Sequence, residues 1–170
     1  MPSKSGRLRA AAIVLVALAL SGSLGIATAS GMLSHKGWPR TTTIWFATNG
    51  GQQGVGTDGN DMLLGGAGND VVYGGPGDDI IWGDRHPSPN GPNQTDDLYG
   101  EAGNDWIYTS HGENHVFAGA GDDHVFDYFG HGTINCGPGN DIVTTDKSHI
   151  HDYTYKHCET VVIGYPTSVG

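Results

Sequence analysis

The chain has 170 residues, 29 of them Gly, and 18 acidic against 8 basic side chains give it a net charge of −10. Eight Pro and two Cys are too few for a Pro-rich rod or a disulfide-built mini-protein, and so acidic a chain lacks the basic face that nucleic acid requires. So much Gly means either disorder or a backbone that returns repeatedly to positive φ; the spacing of the glycines separates the two.

Residues 1–9 hold Lys4, Arg7 and Arg9 and no acid, an apolar run fills 10–20, and small residues end in Ala27-Thr28-Ala29. This pattern predicts a signal peptide over 1–29, cleaved after Ala29. The rival is an uncleaved anchor, but the apolar run falls short of the roughly twenty residues a span needs, so no stable membrane span is expected after cleavage. The cleaved chain would be secreted, where disulfides persist and calcium is abundant. Residues 30–55 then form an N-terminal segment whose stretch TTTIWFA, 41–47, reads as an apolar cap strand.

From Gly56 the chain runs in nines: GTDGNDMLL, GGAGNDVVY and GGPGDDIIW, then from Gly100 GEAGNDWIY, TSHGENHVF, AGAGDDHVF, DYFGHGTIN and CGPGNDIVT, ending at 144. A fourth unit opens with Gly83-Asp84, is interrupted at 85–92 and closes with QTDDLY, 94–99, after which the frame resumes. These units resemble the RTX, or hemolysin-type, calcium-binding nonapeptide G-G-x-G-x-D-x-U-x, in which U is a large aliphatic residue. The resemblance spans 56–144. It implies an all-β fold, a parallel β-roll (a right-handed β-solenoid) of about nine repeats, two units to a turn, with short terminal caps.

The residue types agree with that geometry position by position. Gly at positions 1, 2 and 4 permits a tight six-residue turn. Positions 7–9 form a short strand whose period of two sends position 8 inside and positions 7 and 9 outside. Position 8 is Leu63, Val72, Ile81, Leu98, Ile107, Val116, Val125, Ile134 and Val143, aliphatic throughout.

Position 6 carries the acid, and the resemblance assigns it to Ca2+ together with main-chain carbonyls of the Gly turns, a donor set suited to a hard cation. Odd-numbered units place Asp61, Asp79, Asp105, Asp123 and Asp141 there, and even-numbered units Asp70, Asp96, Asn114 and Gly132. In the family each ion lies between successive turns of one flank. The odd flank is therefore expected to hold up to four ions, and the even flank one between Asp70 and Asp96, with a weaker place at Asn114. Without metal, carboxylates about 5 Å apart would repel by roughly 3 kcal/mol per pair at an effective dielectric near 20, so metal binding and folding are expected to be one event.

Residues 145–170 read as a C-terminal cap with an exit strand, TVVI, at 160–163. Cys136 opens the last unit and Cys158 lies in the tail; for a secreted chain a disulfide is preferred over two free thiols or a thiol metal site. This tail resembles those of small secreted actinobacterial RTX-repeat proteins. The insertion 85–92, with Pro87, Pro89 and Pro92, reads as a solvated loop on the even flank. Among nine His, the tail set His149, His151 and His157 lacks the convergent spacing of a zinc site, and His115 and His124 fall at outward position 7 on opposite sheets. Position 9 carries Tyr73, Trp82, Tyr99, Tyr108, Phe117 and Phe126, expected to form an aromatic column on each sheet. Such a column either stacks along the ladder or offers a flat face to a glycan or surface protein.

About 26 residues on either side of the repeats leave little room for a catalytic domain, and neither H-E-x-x-H, G-x-S-x-G nor a Walker loop occurs. The expectation is a secreted, non-enzymatic calcium-binding β-roll with a structural or adhesive role, or alternatively a module that binds a glycan or protein on its aromatic face.

Overall fold

The structure is a computed structural model that describes residues 26–27, 37–48, 50–84 and 93–164. In chain order its strands are β1 (Ile26–Ala27), β2 (Thr43–Phe46), β3 (Gln53–Val55), β4 (Asp61–Leu64), β5 (Val71–Pro76), β6 (Ile80–Trp82) and β7 (Thr95–Ala102). They continue with β8 (Trp106–Tyr108), β9 (Glu113–Ala120), β10 (His124–Asp127), β11 (His131–Asn135), β12 (Ile142–Thr145), β13 (Tyr153–Lys156) and β14 (Thr160–Ile163). Among the described residues there is no helix. Apart from β1, the residues expected to form the leader lie outside this description, as does the insertion 85–92.

Successive strands alternate between two sheets. One runs β1-β2-β4-β6-β8-β10-β12-β14, the other β13-β11-β9-β7-β5-β3. All pairings are parallel except that of β1 with β2. The chain is thus an all-β parallel solenoid of about six turns, consistent with a β-roll. The register is that of the repeat: Leu63 pairs with Ile81, Ile81 with Ile107 and Ile107 with Val125 in the first sheet, and Val72 with Leu98 and Leu98 with Val116 in the second. All nine position-8 aliphatics are fully buried between the sheets. The interruption in unit 4 leaves this register intact.

The roll is longer than nine units. β2 and β3 add a turn before Gly56, and β13 and β14 add one after 144, all in the same register. Gly54 stands at an inward position of β3, and the buried Trp45 ring fills the space, since a Cβ there would lie 2.7 Å from it. Tyr155 takes the corresponding inward place on β13, packed against the core.

One expectation is corrected. Met62, Leu64 and Ile80 occupy outward positions yet are buried, forming with Ile44 a second apolar cluster against Trp38, Trp82, Trp106 and Tyr108. Outward residues of β4 and β6 are apolar on both sides of the strand, the pattern of a sheet covered on two faces. Trp38 is part of the cover, and its indole N–H donates to Tyr108 Oη at 2.8 Å.

Candidate metal centre

The turns preceding β4, β6, β8, β10 and β12 stack along one flank, and those preceding β5, β7, β9 and β11 along the other. On the odd flank the structure brings all five expected aspartates together in one buried column. From Asp79 on, each side chain reaches back one turn. Asp79 Oδ1 accepts the Asp61 N–H, Asp105 Oδ1 that of Asp79, Asp123 Oδ1 that of Asp105 and Asp141 Oδ1 that of Asp123, at 2.8–2.9 Å. One carboxylate oxygen is thereby spent on the backbone.

The second oxygen is not. Asp79 Oδ2, Asp105 Oδ2, Asp123 Oδ2 and Asp141 Oδ2 are buried with no hydrogen-bond partner. In Asp61 the roles are reversed: Oδ2 takes the Thr57 N–H and hydroxyl at 2.5 and 2.9 Å, and Oδ1 is the orphan. Orphaned buried carboxylate oxygens are costly and rare. They are also kept clear of side chains, for a Cβ on Gly74 would stand 2.5 Å from Asp79 Oδ2, and one on Gly100 would collide with Asp105 Oδ2. The residues therefore fit a cation. Among the described residues no three His, Cys, Asp or Glu side chains converge to hold an ion by themselves, so a cation here would need its remaining oxygens from main-chain carbonyls, which suit hard cations.

Burial, assisted by neighbouring carboxylates, pushes Asp79 and Asp123 up to about 7 and Asp105 up to about 8. Asp141 is raised as well, first by burial and then by charges that include Glu159. Desolvation outweighs the mutual repulsion that the sequence brought to the fore. In the metal-free fold Asp79, Asp105 and Asp123 therefore keep a substantial share of their protons near neutral pH.

The even flank carries Asp70, Asp96, Asn114 and Gly132 at position 6 and satisfies its polar groups differently. Asp70 Oδ1 accepts the Gln52 N–H and Oδ2 the Gly66 N–H, at 2.8 and 2.9 Å. Asp96 Oδ1 accepts the Asp70 N–H at 2.8 Å, and Oδ2 accepts the Ser110 hydroxyl at 2.5 Å. Asn114 Oδ1 accepts the Ser110 N–H at 3.1 Å, while its Nδ2 donates to Ser110 O at 2.8 Å and to Tyr153 Oη at 3.0 Å. Tyr153 Oη in turn donates to Phe129 O at 2.8 Å. No oxygen of Asp70 or Asp96 is orphaned.

A second ladder was legible but unread in the sequence. Position 5 of the odd units is Asn60, Asp78, Asn104, Asp122 and Asn140, and each of the first four accepts the backbone N–H of its successor at 2.8–2.9 Å. The two ladders run in opposite senses, position 5 reaching forward and position 6 back, so every odd turn is tied to both neighbours.

Cys136 and Cys158 form a disulfide. The position-9 aromatics stack as two columns, Trp82–Tyr108–Phe126 with ring centroids 4.5 Å apart at each step and Tyr73–Tyr99–Phe117 at 4.7 and 5.0 Å. Beside the first column lies a cavity of about 180 Å³ lined by Trp82, Asp84, Tyr108, Ser110, Tyr128 and Phe129, among others. His115 and His124 lie on opposite sheets; His115 Nδ1 is 2.9 Å from Asp97 Oδ1, and His124 Nε2 is 2.7 Å from Thr144 Oγ1. Of the tail histidines, His149 turns to Asp146 and His157 to Asn135.

Residues 55–85 and 93–125 match the family model of the RTX calcium-binding nonapeptide repeat (4 copies). The chain carries repeats of that family, in the solenoid they would be expected to build. No curated protein and no solved structure matches it.

Proposed function

We propose that this protein is a calcium-binding β-roll whose folding is driven by ions taken up along the odd flank, at Asp61, Asp79, Asp105, Asp123 and Asp141 with turn carbonyls. The observation that carries this reading is the run of buried carboxylate oxygens without partners on that flank, in repeats of a calcium-binding family. Calcium supplies there the positive charge that the ionised column lacks. Asp70 and Asp96 come second, because an ion at that place competes with the Gly66 N–H and the Ser110 hydroxyl.

The role is structural or adhesive, outside the cell and without catalysis. The leader-like residues 1–29, followed by a capped repeat domain over 56–144, and the Cys136–Cys158 bond support secretion. Circular dichroism of the purified chain, in calcium and then in chelator, tests the central claim. We expect a β spectrum with calcium and its loss without; the same β spectrum at neutral pH in both would overturn it.

A second reading rests on the aromatic column and the adjoining cavity, with Asp84 and Ser110 offering polar groups beside Trp82 and Tyr108. Stacked rings flanked by hydroxyl and carboxylate groups suit a sugar face. Replacing Trp82, Tyr108 and Phe126 by Ser should abolish retention on a glycan array while calcium-induced folding persists. Unchanged retention, or none by the parent chain, would remove this reading.

A further inference from the structure

The odd-flank ladder does not end with the last nonapeptide. β14 pairs with β12 in the register of the roll, Ile142 opposite Thr160 and Val143 opposite Val161, which sets Glu159 opposite Asp141. Glu159 Oε2 accepts the Asp141 N–H at 2.9 Å, the bond that each aspartate of the column makes to its predecessor. A sixth acid therefore stands in the column, in a stretch that has none of the glycines of the repeat.

Its placement has a different cause. Six residues lie between Asn135 and Ile142, whereas their register partners Lys156 and Thr160 are separated only by residues 157–159. His157 adopts a φ of 50°, a left-handed conformation unusual for a side-chain-bearing residue. These three residues are each fastened to the preceding unit or its edge: His157 Nδ1 lies 2.8 Å from Asn135 Oδ1, Cys158 is bonded to Cys136, and Glu159 holds the Asp141 N–H. Cys136 is position 1 of the same unit that has Asp141 at position 6. The extra methylene of Glu spans what the shortened turn leaves open. On the other side of the gap, Asp141 is fully buried and its Oδ2 has no hydrogen-bond partner.

We propose that Asp141 and Glu159 form a further, terminal divalent-cation site, and that the Cys136–Cys158 disulfide builds it by holding Glu159 in the ladder. This rests on the calcium reading above. Ion binding at the end of the roll then depends on oxidation: two thiols of a reductant deliver two electrons and two protons to the sulfurs, become a disulfide themselves, and release the residue next to Glu159 from the turn that carries Asp141.

Calorimetric titration of CaCl2 into the full chain counts the ions. We expect Glu159→Gln, which keeps an acceptor for the Asp141 N–H and removes the charge, to bind one ion fewer than the parent. Cys158→Ser should lose the same ion, and the double variant no more than either. The oxidised parent compared with the same protein after dithiothreitol treatment gives the same subtraction without any substitution, should a variant fail to fold. An unchanged count in Glu159→Gln overturns the site, as does an unchanged count in the reduced parent if that variant cannot be prepared. Loss in Glu159→Gln with full binding by Cys158→Ser and by the reduced parent overturns the part given to the disulfide. If the parent itself binds no calcium, the functional reading fails instead, and the two failures are distinct.

Discussion

The two flanks of this roll are built on one nine-residue frame, yet they treat their buried position-6 acids in opposite ways. On the odd flank all five position-6 aspartates present an oxygen with no hydrogen-bond partner inside the protein. On the even flank Asp70 accepts the Gly66 N–H and Asp96 the Ser110 hydroxyl, while Asn114 exchanges bonds with the Ser110 backbone and closes the network on Tyr153. A repeated backbone thus offers two solutions to one electrostatic problem. On the proposed reading an external cation would complete one flank, whereas hydrogen bonds internal to the chain complete the other. The first ties the fold to its surroundings, and the second makes part of it independent of them.

The largest expected consequence is a reversal of pH dependence. In the metal-free fold Asp79, Asp96 and Asp123 have been raised to about 7 and Asp105 to about 8, so between roughly pH 4 and 8 the folded state binds more protons than the unfolded one. Stability in chelator should be fullest at the acid end and fall as pH rises through 7–8. His124, lowered to about 4 by burial, and Asp146, lowered to about 2 by hydrogen bonds from Ser148 and His149, act in the opposite sense as pH falls. They are outnumbered by the raised acids, which Asp127, pushed up to about 6 by burial, joins. With calcium the order inverts, because protons compete for the ligand oxygens. Urea denaturation at pH 5.5 and 8.5, with and without calcium, reads both slopes. Residue-resolved carboxyl NMR sharpens the contrast: calcium should abolish the titration near 8 at Asp105 and leave more of that near 7 at Asp96. Equal suppression at both would erase the distinction between the flanks.

Substitution should split the flanks next. Asp105→Asn keeps an acceptor for the Asp79 N–H but removes the charge between two neighbouring gaps of the ladder. We expect it to cost two ions, and at least tenfold in the calcium concentration at the folding midpoint, about 1.4 kcal/mol or more. Asp96→Asn, its counterpart, should cost at most one ion and shift the midpoint less. Calorimetry and calcium-titrated circular dichroism measure both, and the reverse ranking would mean that orphaned oxygens are a poor guide to where metal goes.

How much of this was legible follows from how local each feature is. Inward Leu63 through Val143, the position-6 acids and the aromatic columns lie on one nine-residue period, so each could be read from its own unit. The strands at Gln53–Val55 and Tyr153–Lys156 could not. Their inward residues are Gly54 and Tyr155, and Gly54 suits a core position only because Trp45 crosses to fill it. Burial of Met62 and Ile80 depends on cover that no repeat encodes. The position-5 ladder was available as an unbroken run of Asn and Asp. Glu159 was hidden, because a three-residue turn and a disulfide put it where six residues and glycines put the others.

The smallest effect tests the least local feature, the closure of the even flank by residues 39 apart in sequence. Asn114 is fully buried, and its Nδ2 spans Ser110 O and Tyr153 Oη. Asn114→Ala strips both contacts and leaves the Ser110 N–H without its Oδ1 acceptor. Removing one side of a buried polar network costs on the order of 1–3 kcal/mol. Because these bonds involve no cation, the loss should be nearly the same in calcium and in chelator at pH 5.5, and the ion count should not fall by more than the single weak place once expected at Asn114. Thermal melts of the variant in both buffers give the answer. A loss confined to the calcium-bound protein would make Asn114 part of a metal site and would turn the even flank into a second, fainter copy of the odd one.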